Sequence, residues 1–212
     1  MPTWAIHLSI AKKLNTKLNL SKDEFLFGNI LPDIPNGYYI KDISSIISYN
    51  ETHFIPVDED KYINCPKIPK YELFLDKYSN YIKNPVILGY YVHLLTDYYF
   101  NKEIINNYIT LGVNVDFNTI KQFDFKLLEK YLINKTDIKI PKYNEKIYFD
   151  SIKLLKLTKD DIKKTINYLN NKYYKDNIKS NDEYKLIPFN ELLKIYEGCI
   201  EFINSEIEKL KK

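Results

Sequence analysis

The sequence predicts an all-α fold, and three observations lead there. Apolar residues recur at helical spacing through most of the chain. No segment alternates with the period of two that a half-buried strand needs. There is no glycine-rich phosphate loop, no G-x-S-x-G and no internal repeat. With 212 residues, 45% of them hydrophobic and 28% charged, the chain is expected to fold as one all-α domain, residues 1–212, around one sizeable core.

The elements follow in order. Trp4, Ile6, His7, Ile10, Ala11, Leu14 and Leu18 mark a helix over residues 3–18. Ser21 and Glu24 have capping-box spacing and introduce a second helix, Phe25 to Leu31, which Pro32 is expected to end with Asp33 on the exit turn. Asp42 to Ile47 fits a short helix. Residues 49–70, with Pro56, Pro66 and Pro69, read as a long loop carrying His53. Tyr71, Phe74, Leu75, Tyr78 and Tyr81 mark one side of a helix over 70–82. Asn84-Pro85 is a strong helix start, and the helix that follows runs to about residue 108. Gly89 inside it costs ~1 kcal/mol relative to alanine, which a close helix crossing would explain. Further helices are expected over 118–133, 144–156, 158–175 (capped by Thr158 with Asp161) and 188–212, with a linker from Ile138 to Tyr143 and a polar loop over 176–187.

Composition narrows the function classes. The net charge is +3 and all 31 basic residues are lysine, so bidentate phosphate or base recognition by arginine is absent and nucleic acid is not expected as a partner. No apolar stretch reaches ~18 residues, so no transmembrane segment is expected. The start of the chain lacks a basic-then-apolar leader pattern. Cys65 and Cys199 lack C-x-x-C spacing, and two reduced thiols in a cytoplasmic protein is the plain expectation, with one disulfide left open.

The candidate site lies in Leu88 to Phe100. His93 and Asp97 are four residues apart, on one helical face, among aliphatic and aromatic neighbours. A carboxylate there needs either a hydrogen-bonding histidine or a metal ion. The chain has three histidines in all, His7, His53 and His93, spread over separate elements together with Asp33. Two His and two Asp make a mixed nitrogen–oxygen set suited to zinc, manganese or iron, and similar in composition to the site of HD phosphohydrolases. Tyr90, Tyr91, Tyr98 and Tyr99 either orient such ligands or simply fill the core.

The order Trp4…His7, Gly28…Pro32-Asp33, Thr52-His53-Phe54 and Gly89…His93-x-x-x-Asp97 resembles the zinc-dependent phospholipase C family, the phospholipase C/D domain, over residues 1–105. The resemblance implies a multi-helix domain of the phospholipase C or nuclease-like type, with 1–105 as its metal-site half and 106–212 as a helical completion. It implies one metal on Asp33, His53, His93 and Asp97, and a second on His7 with Asp97 shared. It also implies that Trp4 would serve the second metal through amino and carbonyl groups if it were the first residue. No histidine follows His93, so the family's third metal site is not expected. The implied activity is hydrolysis of a phosphoester, a small phosphodiester or a lipid head group, by metal-activated water. Two other readings stand beside it: a metal-stapled helical scaffold without turnover, and a helical protein whose histidines are core residues.

Overall fold

Gly28 and Gly89 lie where two helices bring their backbones together. The computed structural model describes residues 2–56, 66–108, 117–175 and 183–211. Within these, α1 is Trp4–Leu18 and α2 is Lys22–Gly28. A short α3 is Tyr49–Thr52, α4 is Tyr71–Tyr78 and α5 is Pro85–Tyr108. The second half supplies α6, Phe117–Lys135, α7, Glu145–Leu155, α8, Lys159–Lys175, and α9, Phe189–Lys209. No strand occurs among the described residues, and the whole forms a single all-α domain with one continuous core. No described helix is long and apolar enough to cross a membrane.

α5 is the axis of the fold. Asn84 starts it by accepting from the backbone N–H of Val86 at 2.8 Å, the cap that Asn84-Pro85 predicts. Helices α1, α2, α4, α7 and α9 all pack on it, α2 most extensively. The α2–α5 crossing explains the mid-helix glycine. A Cβ on Gly89 would sit 2.4 Å from the carbonyl oxygen of Phe25, and one on Gly28 would sit 2.1 Å from that of Val86. Backbone therefore meets backbone, and the carbonyl of Asn29 is brought against the face of α5 that bears His93.

Several elements differ from expectation. The helix placed at Phe25 to Leu31 begins and ends earlier, at Lys22 and Gly28. Ser21 makes no side-chain cap, and Glu24 turns instead to Lys146, 2.9 Å away. Pro32 does not end a helix. It sits in the first turn of a 3-10 helix, Leu31–Asn36, where a missing N–H costs nothing, and Asp33 lies inside that helix rather than on an exit turn. Asp42 to Ile47 is not helical, because its backbone is drawn away. The Ser44 N–H bonds Asp161 at 3.0 Å and the Ile47 N–H bonds the Pro35 carbonyl at 3.0 Å. The expected loop from 49 to 70 starts with α3, whose cap Ser48 accepts from the Glu51 N–H at 3.2 Å. Tyr81, expected on an apolar face, is exposed on a 3-10 turn after α4. The Thr158–Asp161 cap of α8 forms as expected, with the Asp161 N–H on Thr158 at 3.2 Å and the Thr158 N–H on Asp161 at 2.9 Å. Cys199 is a buried free thiol, while Cys65 and the polar segment 176–182 lie outside the described residues.

The crossing gives a test with an informative sign. An exposed helical glycine gains about 1 kcal/mol on becoming alanine. Gly89→Ala is expected to lose about 3 kcal/mol instead, because the added methyl overpacks two backbones. Urea denaturation of the two proteins measures it.

Candidate metal centre

All five residues expected at the site meet, and all are 0% exposed: His7, Asp33, His53, His93 and Asp97. Each comes from a different local device. His93 and Asp97 share one face of α5, one turn apart. Asp33 is placed by the 3-10 helix, with its N–H on the Ile30 carbonyl at 3.2 Å. His7 projects from the second turn of α1. His53 follows α3, with its N–H on the Tyr49 carbonyl at 2.9 Å. The next residue, Phe54, has φ 56°, a left-handed conformation that a bulky side chain adopts only when its surroundings hold it there. Here the Ile55 N–H on Asn50 at 2.8 Å and the Phe54 ring edge-on to Phe74 at 5.6 Å hold it.

Four donor atoms converge. His53 Nε2 lies 3.0 Å from His93 Nε2, 3.3 Å from Asp97 Oδ2 and 3.6 Å from Asp33 Oδ1. His93 Nε2 lies 3.9 Å from Asp33 Oδ1 and 3.8 Å from Asp97 Oδ2. A tetrahedral shell with metal–ligand distances of about 2.0–2.1 Å has edges of about 3.3–3.4 Å, a value that these five spacings bracket. The tautomers make the case chemical. His93 Nδ1 is 2.9 Å from the Asn29 carbonyl and His53 Nδ1 is 3.1 Å from the Tyr49 carbonyl. A carbonyl only accepts, so His93 Nδ1 carries the proton and its Nε2 presents a lone pair, while His53 Nδ1 also faces the Thr52 hydroxyl at 2.9 Å. Two imidazole nitrogens and two carboxylate oxygens thus face one another, all fully buried. The buried His and Asp groups can hold a metal ion in two overlapping sets, His53 with His93 and Asp97, and His7 with Asp33 and His93.

The sequence left most of the supporting shell unseen. The Trp4 indole N–H donates to Asp33 Oδ2 at 3.1 Å. Trp4 therefore meets the site by its ring, and the expectation of amino and carbonyl ligation does not apply to a residue already inside α1. Tyr49 donates to Asp97 Oδ2 at 3.0 Å while its ring stacks on His53 at 3.8 Å. Of the four tyrosines on α5, Tyr90 is tied to the site, donating to the Thr52 carbonyl at 2.7 Å and so anchoring α3. Ser48 and Glu51, with capping-box spacing, were the signal for α3, and Tyr49 stands one turn before His53.

No family model, curated protein or solved structure matches this chain. The reading of the centre therefore rests on its chemistry. Burial pushes the Asp33 carboxyl up against the pull of His53, with Asp97 adding to the rise. Burial acts the same way on Asp97, but contacts from His53 and His7 outweigh it and hold that carboxyl well below the usual range. Between two close carboxylates without a cation, the proton thus belongs on Asp33. His93 is held well below the usual histidine range by burial and by His7, so it is a neutral, ligand-ready imidazole. Burial and Asp97 keep the Tyr49 hydroxyl protonated, and hence a donor.

Two outcomes follow. Trp4→Phe, which keeps the ring and removes the N–H, is expected to weaken zinc retention about tenfold or more in a competition with a chromogenic chelator. In chelator, the protein should also lose stability as pH falls through about 6.5. There the unfolded His93 takes a proton that the folded one refuses, worth about 1.4 kcal/mol per pH unit for that group. Thermal melts at pH 7.5 and 5.5 should differ more for wild type than for His93→Gln, which has no proton to take.

Proposed function

We propose that this chain is a metal-dependent phosphoester hydrolase acting on phosphodiesters, phospholipase C-like in chemistry. The observation that carries the reading is the convergence of two imidazoles and two carboxylates, all fully buried, an arrangement that a divalent cation relieves. Asp33, His53, His93 and Asp97 would hold the ion, with zinc favoured by the mixed nitrogen–oxygen donors and manganese or iron as alternatives. Such an ion supplies an activated water and polarises a phosphoryl oxygen. The chain's own residues do the rest. Trp4, Asn29 and Tyr49 fix the faces that the ligands present. The ring of Tyr49, half-buried above His53, stands between the donors and solvent. His7 lies with Nε2 3.3 Å from Asp97 Oδ1, and neither of its nitrogens has a hydrogen-bond partner among the described residues. It is therefore available to complete the ligand shell. The order of the motifs, like that of the zinc-dependent phospholipases C, supports the same substrate class.

One observation favours a second reading, a metal-stapled scaffold without turnover: every donor is fully buried, as in closed structural sites. Metal content by mass spectrometry, followed by hydrolysis of bis(p-nitrophenyl) phosphate and of phosphatidylcholine vesicles, separates them. The hydrolase reading expects about one equivalent of metal, lost in His93→Ala, and turnover that falls at least about 100-fold in Asp97→Ala. Bound metal with no turnover, and a melting temperature that collapses in chelator, would leave the scaffold. No metal after incubation with zinc, manganese or iron would remove both.

A further inference from the structure

Lys172 of α8 stands in a cage of aromatic rings outside the metal centre. Its ammonium lies 5.6 Å from the ring centre of Tyr39, 6.0 Å from that of Tyr168 and 5.2 Å from that of Tyr173. Glu129 of α6 closes the cage, with Oε1 3.0 Å from the ammonium. Three segments far apart in the chain thus converge on one cation. Tyr168 and Lys172 are four residues apart on α8 and share a face. Tyr39 is held in place by the indole of Trp4, on which it stacks at 4.1 Å, and by Tyr168, edge-on at 6.2 Å.

Two observations say that a lysine does not exhaust this cage. Glu129 is 6% exposed, yet its Oε2 is buried and has no hydrogen-bond partner among the described residues. A carboxylate withdrawn from water needs its remaining lone pairs met, and one contact to an ammonium leaves an oxygen bare. The second observation is size. A bare ammonium turns only hydrogens to the rings. A methyl group on the nitrogen adds a bond of about 1.5 Å, and carbon meets carbon at about 3.5–4.0 Å, so a methylated nitrogen sits about 5.0–5.5 Å from a ring face. The three rings stand at 5.2, 5.6 and 6.0 Å. The cage therefore has the dimensions of a nitrogen carrying methyl groups, a cation that aromatic cages bind. Lys172 is also placed to leave. Its side chain is 25% exposed, so the ammonium can swing to water while the rings and the carboxylate stay.

We propose that Tyr39, Tyr168, Tyr173 and Glu129 form a binding site for a small quaternary ammonium ion, with the Lys172 ammonium as the resident that the ligand displaces. The site contains none of the metal-centre residues, and the inference does not rest on that reading. The test is calorimetric titration of the protein with tetramethylammonium chloride, against ammonium chloride at equal ionic strength. Wild type should bind tetramethylammonium at least about tenfold more tightly than ammonium. Lys172→Ala, at a half-buried helix position, should tighten binding about tenfold, because no lysine has to be displaced. Tyr168→Leu should weaken it about tenfold, the range of one desolvated cation–ring contact. Retention on phosphatidylcholine vesicles that Tyr168→Leu loses would assign the cage to a lipid head group, and binding of the free ion without such retention would assign it to a soluble ligand. Absence of saturable tetramethylammonium binding by wild type, or equal affinity in wild type and Tyr168→Leu, would overturn the site. Binding confined to Lys172→Ala would overturn it too, since the native lysine would then be the permanent occupant and the cluster a structural ion pair.

Discussion

Two carboxylates sunk among aromatic and aliphatic side chains have to be compensated, and the first half of the chain gives each a single side-chain donor and sets imidazoles against the rest. That choice is visible by contrast within the same molecule. Asp124 is just as buried, yet it accepts from the backbone N–H groups of Lys185, Leu186 and Ile187, each at 2.8 Å. Asp161 is buried too, and is satisfied by Ser44 and Thr158. These two fasten loops to helices. Asp33 and Asp97 each accept one side-chain donor and keep an oxygen without any, turned to imidazole nitrogens. Burial alone does not mark a functional carboxylate; the shortage of donors around it does.

The backbone contact between α2 and α5 turns that chemistry into geometry. With no side chain at Gly28 or Gly89, the Asn29 carbonyl can reach His93 Nδ1, and the Asn29 side-chain amide reaches the Gly89 carbonyl at 3.2 Å. One close crossing thus fixes both the tautomer and the orientation of the central imidazole. On the other side α3, only four residues long, is tied down through Tyr90 and Tyr49. The second half of the chain encloses this assembly, with Tyr168 of α8 edge-on to Trp4 at 5.9 Å.

The helical class, the α5 start and the five residues of the centre were legible because each has a local signature: periodicity, a cap, or a polar group on an apolar face. Gly89 was legible as a crossing for the same reason. The elements that were misplaced depend on partners far along the chain. Asp161 pulls Ser44 out of helical geometry across more than a hundred residues, and Lys146 takes the carboxylate that would have closed a capping box at Ser21. The supporting shell was hidden for a related reason. An indole N–H or a tyrosine hydroxyl is an ordinary core group until the fold brings an acceptor to it. Lys172, one of 31 lysines, carries no mark in the sequence of the rings around it.

The donors differ in how firmly they are held. His93 and Asp97 ride on a long central helix, and Asp33 on a proline-stiffened turn within the core, so their spacing is set by the packing of the domain. His53 hangs from a single turn that ends in a strained residue. Were a metal held there, three of its corners would be set by the packing of the domain and the fourth by the Tyr49 and Tyr90 contacts that tether α3. An ion of a different size would then register first at α3, a single turn of four residues, rather than as a loss of the fold.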